Sequence, residues 1–155
     1  MASRGLRGQA AMEYLMTYGW ALIAIVVVLS VLYSVGVFDP QKYMNEECMF
    51  QPSLQCKSMQ LSQSSRTFTL TLHNGLGYEI LRPQGKVTFL STGQEIPYTI
   101  GGEVGPNAGI QIVVTNVDTS RFRVGTIEKA RVVMEYNLDG KTYTTTGTAS
   151  VRVSP

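Results

Sequence analysis

The sequence is short of charge, of histidine and of cysteine, and each shortage removes a class of function. Asp, Glu, Lys and Arg make up 15% of the chain, against roughly a quarter in an average soluble domain. With a formal net charge of +2, there is no basic field to hold a nucleic acid, and none is expected as a partner. Seven of the thirteen Lys and Arg fall between Lys86 and Arg152, mixed with acids as on an ordinary solvated surface. The single histidine, His73, stands in a strand-like run with no partner at metal-ligand spacing. No Gly-x-Ser-x-Gly occurs, and Gly101-Gly102-Glu103-Val104-Gly105 lacks the lysine of a phosphate loop. Asp118 and Glu128 are isolated acids of the kind that decorate loops. An enzyme is not expected from these residues, nor is a cofactor or a metal.

The missing charge has one address. From Tyr14 to Phe38, twenty-five consecutive residues carry no Asp, Glu, Lys or Arg. About 20 apolar residues at 1.5 Å each cover a hydrocarbon core near 30 Å, and the stretch Gly19–Phe38 meets that length. It is apolar on every side, unlike the surface helix of a soluble domain. Tyr14, Tyr18 and Trp20 lie near one end and Tyr33 and Phe38 near the other, as interfacial aromatics do. Asp39-Pro40 ends the run, since proline cannot continue the ladder. Arg4 and Arg7 precede it, and positive charge stays cytoplasmic, which sends the rest of the chain outside. Such a segment can be a plain uncut anchor. It can also be an ordinary secretory signal, with Ser34-Val35-Gly36 as the small-x-small cleavage site.

A third reading comes from Glu13, a carboxylate at the threshold of the apolar run. At that place it is tolerated as an interfacial, first-turn residue and is expensive deeper in the bilayer. Around it stands Arg7-Gly8-Gln9-Ala10-Ala11-Met12-Glu13-Tyr14-Leu15. This pattern resembles the class III signal peptide of archaeal type IV pilins and pilin-like proteins, with Ala11 where that family usually has a serine-like residue. Bacterial relatives usually begin the mature chain with Phe, so an archaeal adhesion-type pilin is the closer comparison for Gln9. The resemblance implies a leader, residues 1–8, removed between Gly8 and Gln9 by a membrane-embedded prepilin peptidase. Residues 9–38 would then be retained, spanning the membrane first and forming the core of a helical homopolymer after export by pilus assembly machinery.

Cleavage would make Glu13 the fifth residue of the mature chain and free an α-amine at Gln9, charged below a pKa near 8. That amine can pair with Glu13 and set helix register. Ser30 and Ser34 form a small-x-x-x-small pair, and Ala21 and Ala24 add small faces that let helices approach closely. The destination would be a cell-surface filament whose outer part meets a surface or cell ligand.

Residues 39–57 look irregular and are expected to be a connector. Its cysteines, Cys48 and Cys56, have seven residues between them and no Cys-x-x-Cys spacing. Two thiols alone make a poor zinc site, and a redox pair is conceivable. On the outer side of a membrane the expected state is a loop disulfide.

Residues 58–155 carry β signals. Thr67–Leu72 alternates strictly, with Phe68, Leu70 and Leu72 on one face, and Asn74-Gly75 and Gly77 end it. Val87–Leu90, Ile96–Ile100 and Ile110–Val114 follow between Gly-rich breaks. Arg131–Tyr136 and Lys141–Val153 form a hairpin joined around Asp139-Gly140. Thr142, Thr144, Thr146 and Thr148 share one face, expected to be solvated. The expected class is therefore α+β: a long N-terminal apolar helix, then a mostly antiparallel β-sandwich of immunoglobulin-like character.

Overall fold

A computed structural model describes residues 5–40 and 43–155; residues 1–4, including Arg4 and half of the expected leader, lie outside them. The chain divides into two units, Met1–Pro40 and Gln41–Pro155.

The first unit is one helix, α1, Gly5–Ser34. It begins ahead of Gln9, so the expected cleavage site falls inside helical backbone. Val26-Val27-Val28 and the flanking isoleucines are poor helix formers in water. An apolar environment favours them because every backbone polar group must then be satisfied within the segment. The regular helix ends four residues before Phe38, at a cap the sequence encodes. Gly36 has φ 72°. Its N–H reaches the Tyr33 carbonyl at 3.0 Å and the Val37 N–H reaches Leu32 at 3.1 Å. These are the two bonds of a Schellman motif, whose left-handed residue glycine adopts without a steric penalty.

Among the described residues the second unit contains nine strands: β1 (Glu47–Met49), β2 (Leu54–Ser62), β3 (Thr67–Asn74), β4 (Ile80–Phe89), β5 (Glu95–Thr99), β6 (Glu103–Val104), β7 (Gly109–Val114), β8 (Ile127–Leu138) and β9 (Lys141–Ser154). They form one sheet in the order β5-β4-β8-β9-β2-β3-β7, with β1 paired to β9 and β6 to β4. All pairings are antiparallel except β2 with β9, where Leu61 and Ser62 meet Val153 and Ser154 in parallel. The end strands β5 and β7 approach each other, so the sheet is nearly closed and barrel-like. It does not divide clearly into the two layers of an immunoglobulin-like sandwich. The fourteen-residue β9 is the reason: it pairs with β8 along its length, with β1 at Thr148–Ser150, and with β2 at its end.

Period-2 alternation places the core. Phe68, Leu70 and Leu72 of β3 are fully buried, as are Ile110 and Ile112 of β7 and Val132 and Met134 of β8. Phe68 meets Phe89 edge-on with ring centroids 5.7 Å apart, and Phe89 meets Phe122 at 5.8 Å, separations at which aromatic pairs attract beyond their area burial. The β8–β9 hairpin closes through Asp139 (φ 49°) and Gly140 (φ 74°), the two positive-φ positions of a type I′ turn. Thr142, Thr144, Thr146 and Thr148 are exposed as expected, while Thr145 between them is buried. On the inner face Gly147 is covered by the Phe50 ring, which a side chain at that position would overlap.

The stretch expected to be a connector is partly sheet. Residues 47–49 are β1 and residues 54–57 begin β2. Arg152 ties the approach to β1 onto β9: its guanidinium donates to the Met44 carbonyl at 3.1 Å and to Gly125 at 2.6 Å. The Arg152 backbone N–H donates to the Glu46 carboxylate at 3.1 Å.

Candidate functional site

The apolar helix is the feature the sequence singled out. From Met12 to Ser34 it offers 23 residues long and apolar enough to cross a membrane, none of that span being buried. At 1.5 Å per residue this is about 35 Å, slightly more than the hydrocarbon thickness. Leu22, Ile25 and Leu29 are each half exposed or more, and Trp20 and Tyr33 more than two-thirds. A soluble monomer rarely leaves so large an apolar surface to water.

Its polar groups are arranged for such surroundings. Thr17 Oγ1 donates to the Glu13 carbonyl at 2.8 Å, Ser30 Oγ to Val26 at 2.7 Å and Ser34 Oγ to Val31 at 2.8 Å. Each of these three hydroxyls is satisfied within the helix, which spares it an unpaired donor in an apolar medium. Ser30 and Ser34 lie one turn apart on one side. Ala21 and Ala24 point about 130° away from them at 3.6 residues per turn, so the small residues mark two sides. At Ala24 the reduced bulk leaves a shallow apolar depression of about 240 Å³, lined by Ala24, Ile25, Val28 and Leu29.

Glu13 is exposed and makes no ion pair among the described residues. Gly8 and Gln9 lie in the helical backbone one turn before it. Tyr14 and Tyr18 meet along the same side, ring centroids 4.5 Å apart and planes tilted by 41°.

Cys48 and Cys56 are joined in a disulfide, their Cα atoms 6.1 Å apart. The bridge links β1 to β2, two strands that flank the same edge of β9, and so seals the place where the sheet changes partners. Among the described residues no three His, Cys, Asp or Glu side chains converge. His73, on β3, is half-buried between Gln55 and Gly109 on the neighbouring strands.

Two features escaped the sequence reading. Asn74, taken only as a turn residue, is completely buried. Its side-chain amide donates to the carbonyls of Tyr78 (2.8 Å), Gly105 (2.9 Å) and Val104 (3.2 Å), and its oxygen accepts from the Leu76 N–H at 3.1 Å. It therefore braces two loops at once. Beside them opens a cleft of about 670 Å³ lined by Tyr78, Glu79, Leu81, Leu138, Asp139 and Tyr143. Tyr143 stacks on Tyr136, centroids 5.9 Å apart and rings 21° from parallel. Burial, with Tyr143 nearby, pushes the Tyr136 phenol above its ordinary pKa.

No protein-family model and no curated protein sequence matches the chain.

Proposed function

We propose that this chain is a membrane-inserted subunit that polymerises through its N-terminal helix and carries a β domain outside the cell. More particularly, it is an archaeal pilin-like protein, cut between Gly8 and Gln9 and assembled with copies of itself into a surface filament for adhesion or attachment. The observation that carries this reading is the Met12–Ser34 helix. It is exposed and apolar on all sides, has its Thr17, Ser30 and Ser34 hydroxyls satisfied internally, and follows the Gly8-Gln9 … Glu13 pattern.

Such a helix is stable in lipid and stable in a bundle. Leaving water is worth roughly 1.5–3 kcal/mol for each large apolar side chain, whereas leaving lipid for protein gains packing alone. The two small sides at Ala21/Ala24 and Ser30/Ser34 suit a helix with more than one neighbour. A plain anchored binding protein would need the same span, but has no use for a carboxylate that seeks an amine in the next helix.

Glu13→Ala separates the two. Leaving the Gln9 amine unpaired in a bundle costs about 3–5 kcal/mol per subunit, a hundredfold or more in the assembly constant. The variant should insert and be cut normally while sheared cell-surface fractions lose the filament. Normal filament yield would sink the assembly role.

A further inference from the structure

The cleft on the outer domain is built from residues brought together by the fold, and its walls are held in place. Tyr78 follows Gly77, whose φ of 76° turns the chain, and the Tyr78 carbonyl is held by buried Asn74 at 2.8 Å. Tyr143 is backed by the buried Tyr136 ring. Asp139 sits in the two-residue hairpin turn, and Thr142 Oγ1 donates to Asn137 Oδ1 at 2.8 Å just behind it. Tyr78 is 66% exposed and Tyr143 43%, so ring surface faces solvent above the half-buried Leu81 and Leu138.

We propose that this cleft binds a neutral carbohydrate, one or two sugar rings of a cell-surface or matrix glycan. A tyrosine face carries negative quadrupole charge, which attracts the polarised C–H groups on the flat side of a pyranose ring. The ring also supplies contact area with little conformational entropy to lose. Glu79 and Asp139 supply the remaining chemistry. No Lys or Arg lines the cleft, and neither acid makes an ion pair among the described residues, so their oxygens are open to accept hydrogen bonds from sugar hydroxyls. A volume of about 670 Å³ lies within the range of small-molecule sites. An ammonium group is the competing ligand chemistry. A cation over a solvent-exposed ring gains little, and strong ammonium sites enclose the charge among several rings, whereas this cleft is open.

The test uses the full chain in a polyoxyethylene detergent, which contributes neither sugar nor ammonium. Because it is unassembled, the outcome is independent of filament formation. Cellotetraose, maltotetraose, mannotetraose and chitotetraose are titrated by calorimetry and by saturation-transfer NMR. At least one should bind, and Tyr78→Ala, on an exposed loop side chain, should weaken it about tenfold or more. Glu79→Gln with Asp139→Asn keeps acceptor oxygens and a turn residue tolerant of positive φ. That pair should weaken binding about threefold, and salt at about 0.5 M should leave the affinity within about twofold. The proposal is overturned if no tetrasaccharide binds, or if Tyr78→Ala and Tyr143→Ala both leave affinity unchanged. It is equally overturned if tetramethylammonium binds in place of sugar and is released by the amide pair and by salt.

Discussion

Replacing Asn74, the last residue of β3, by alanine should strongly destabilise the β domain. The side chain is completely buried; its two amide N–H groups serve three carbonyls, one N–H being shared, and its oxygen accepts a further bond. Without it, the Val104 carbonyl loses a buried partner, a loss of about 1–3 kcal/mol. The partly solvated Tyr78 and Gly105 carbonyls and the Leu76 amide can turn to water, each losing about 0.5–1.5 kcal/mol. Allowing for shared relaxation, the total is about 3–5 kcal/mol, a fifth or more of the roughly 5–15 kcal/mol of an ordinary domain. For a unit of this size that is a fall in Tm of about 12–20 °C.

The assay is heat denaturation of the full chain in detergent, followed by the sheet signal in circular dichroism. Amide exchange at residues 75–78 and 104–108 reports the loops directly. Asn74→Asp adds a sign test. Its carboxylate would face three carbonyl oxygens, so burial and repulsion would raise its folded pKa. The stability it retains should be complete below the ordinary aspartate pKa near 4 and lost as pH climbs above it. The reasoning fails if Asn74→Ala lowers stability by less than about 1 kcal/mol with loop exchange unchanged.

Two further predictions concern the same domain. Removing the bridge with Cys48→Ala and Cys56→Ala should cost about 2–3 kcal/mol, the loop-closure value for so short a ring; chemical denaturation under oxidising conditions measures it. Burial raises the pKa of Tyr98, whose hydroxyl donates to the Val133 carbonyl at 3.2 Å. A raised folded pKa means that its contribution is complete below the ordinary phenol value near 10 and is lost as pH climbs above it. Tm measured from pH about 9 to 12 should therefore decline less steeply for Tyr98→Phe than for the parent chain.

What was legible beforehand, and what was not, has particular causes. β3 and the β8–β9 hairpin announced themselves because their alternation is unbroken and Asp139-Gly140 suits one turn type. β2 did not. Cys56 pairs with Leu72 and Ser58 with Thr71, leaving Lys57 as an extra residue. That bulge moves the inward positions from Leu54 and Cys56 to Met59 and Leu61, and a period-2 search sees noise. β4 was read only from Val87 because Arg82-Pro83 sits at another bulge, between Leu81 and Gln84, and proline argues against a strand interior. β1 is too short to carry a pattern.

The barrel-like closure depends on a two-residue parallel contact between β2 and β9, for which there is no local signal. Asn74 carried the right signal for the wrong reason. Asn-Gly marks a turn, but its burial comes from Val104, Gly105 and Ala108, distant in sequence. The cleft was invisible for the same reason: Tyr78 and Tyr143 come to line one cleft only after the sheet forms. The helix needed no long-range information, because twenty-five uncharged residues and their flanks are contiguous in the chain.

The most direct test of the account is the intact mass of this chain recovered from sheared surface filaments of the cells that make it. The account predicts a subunit that begins at Gln9 and retains every residue of the helix through Phe38. A chain that begins after Gly36, or one that keeps Met1 and is found only in membranes, would contradict it.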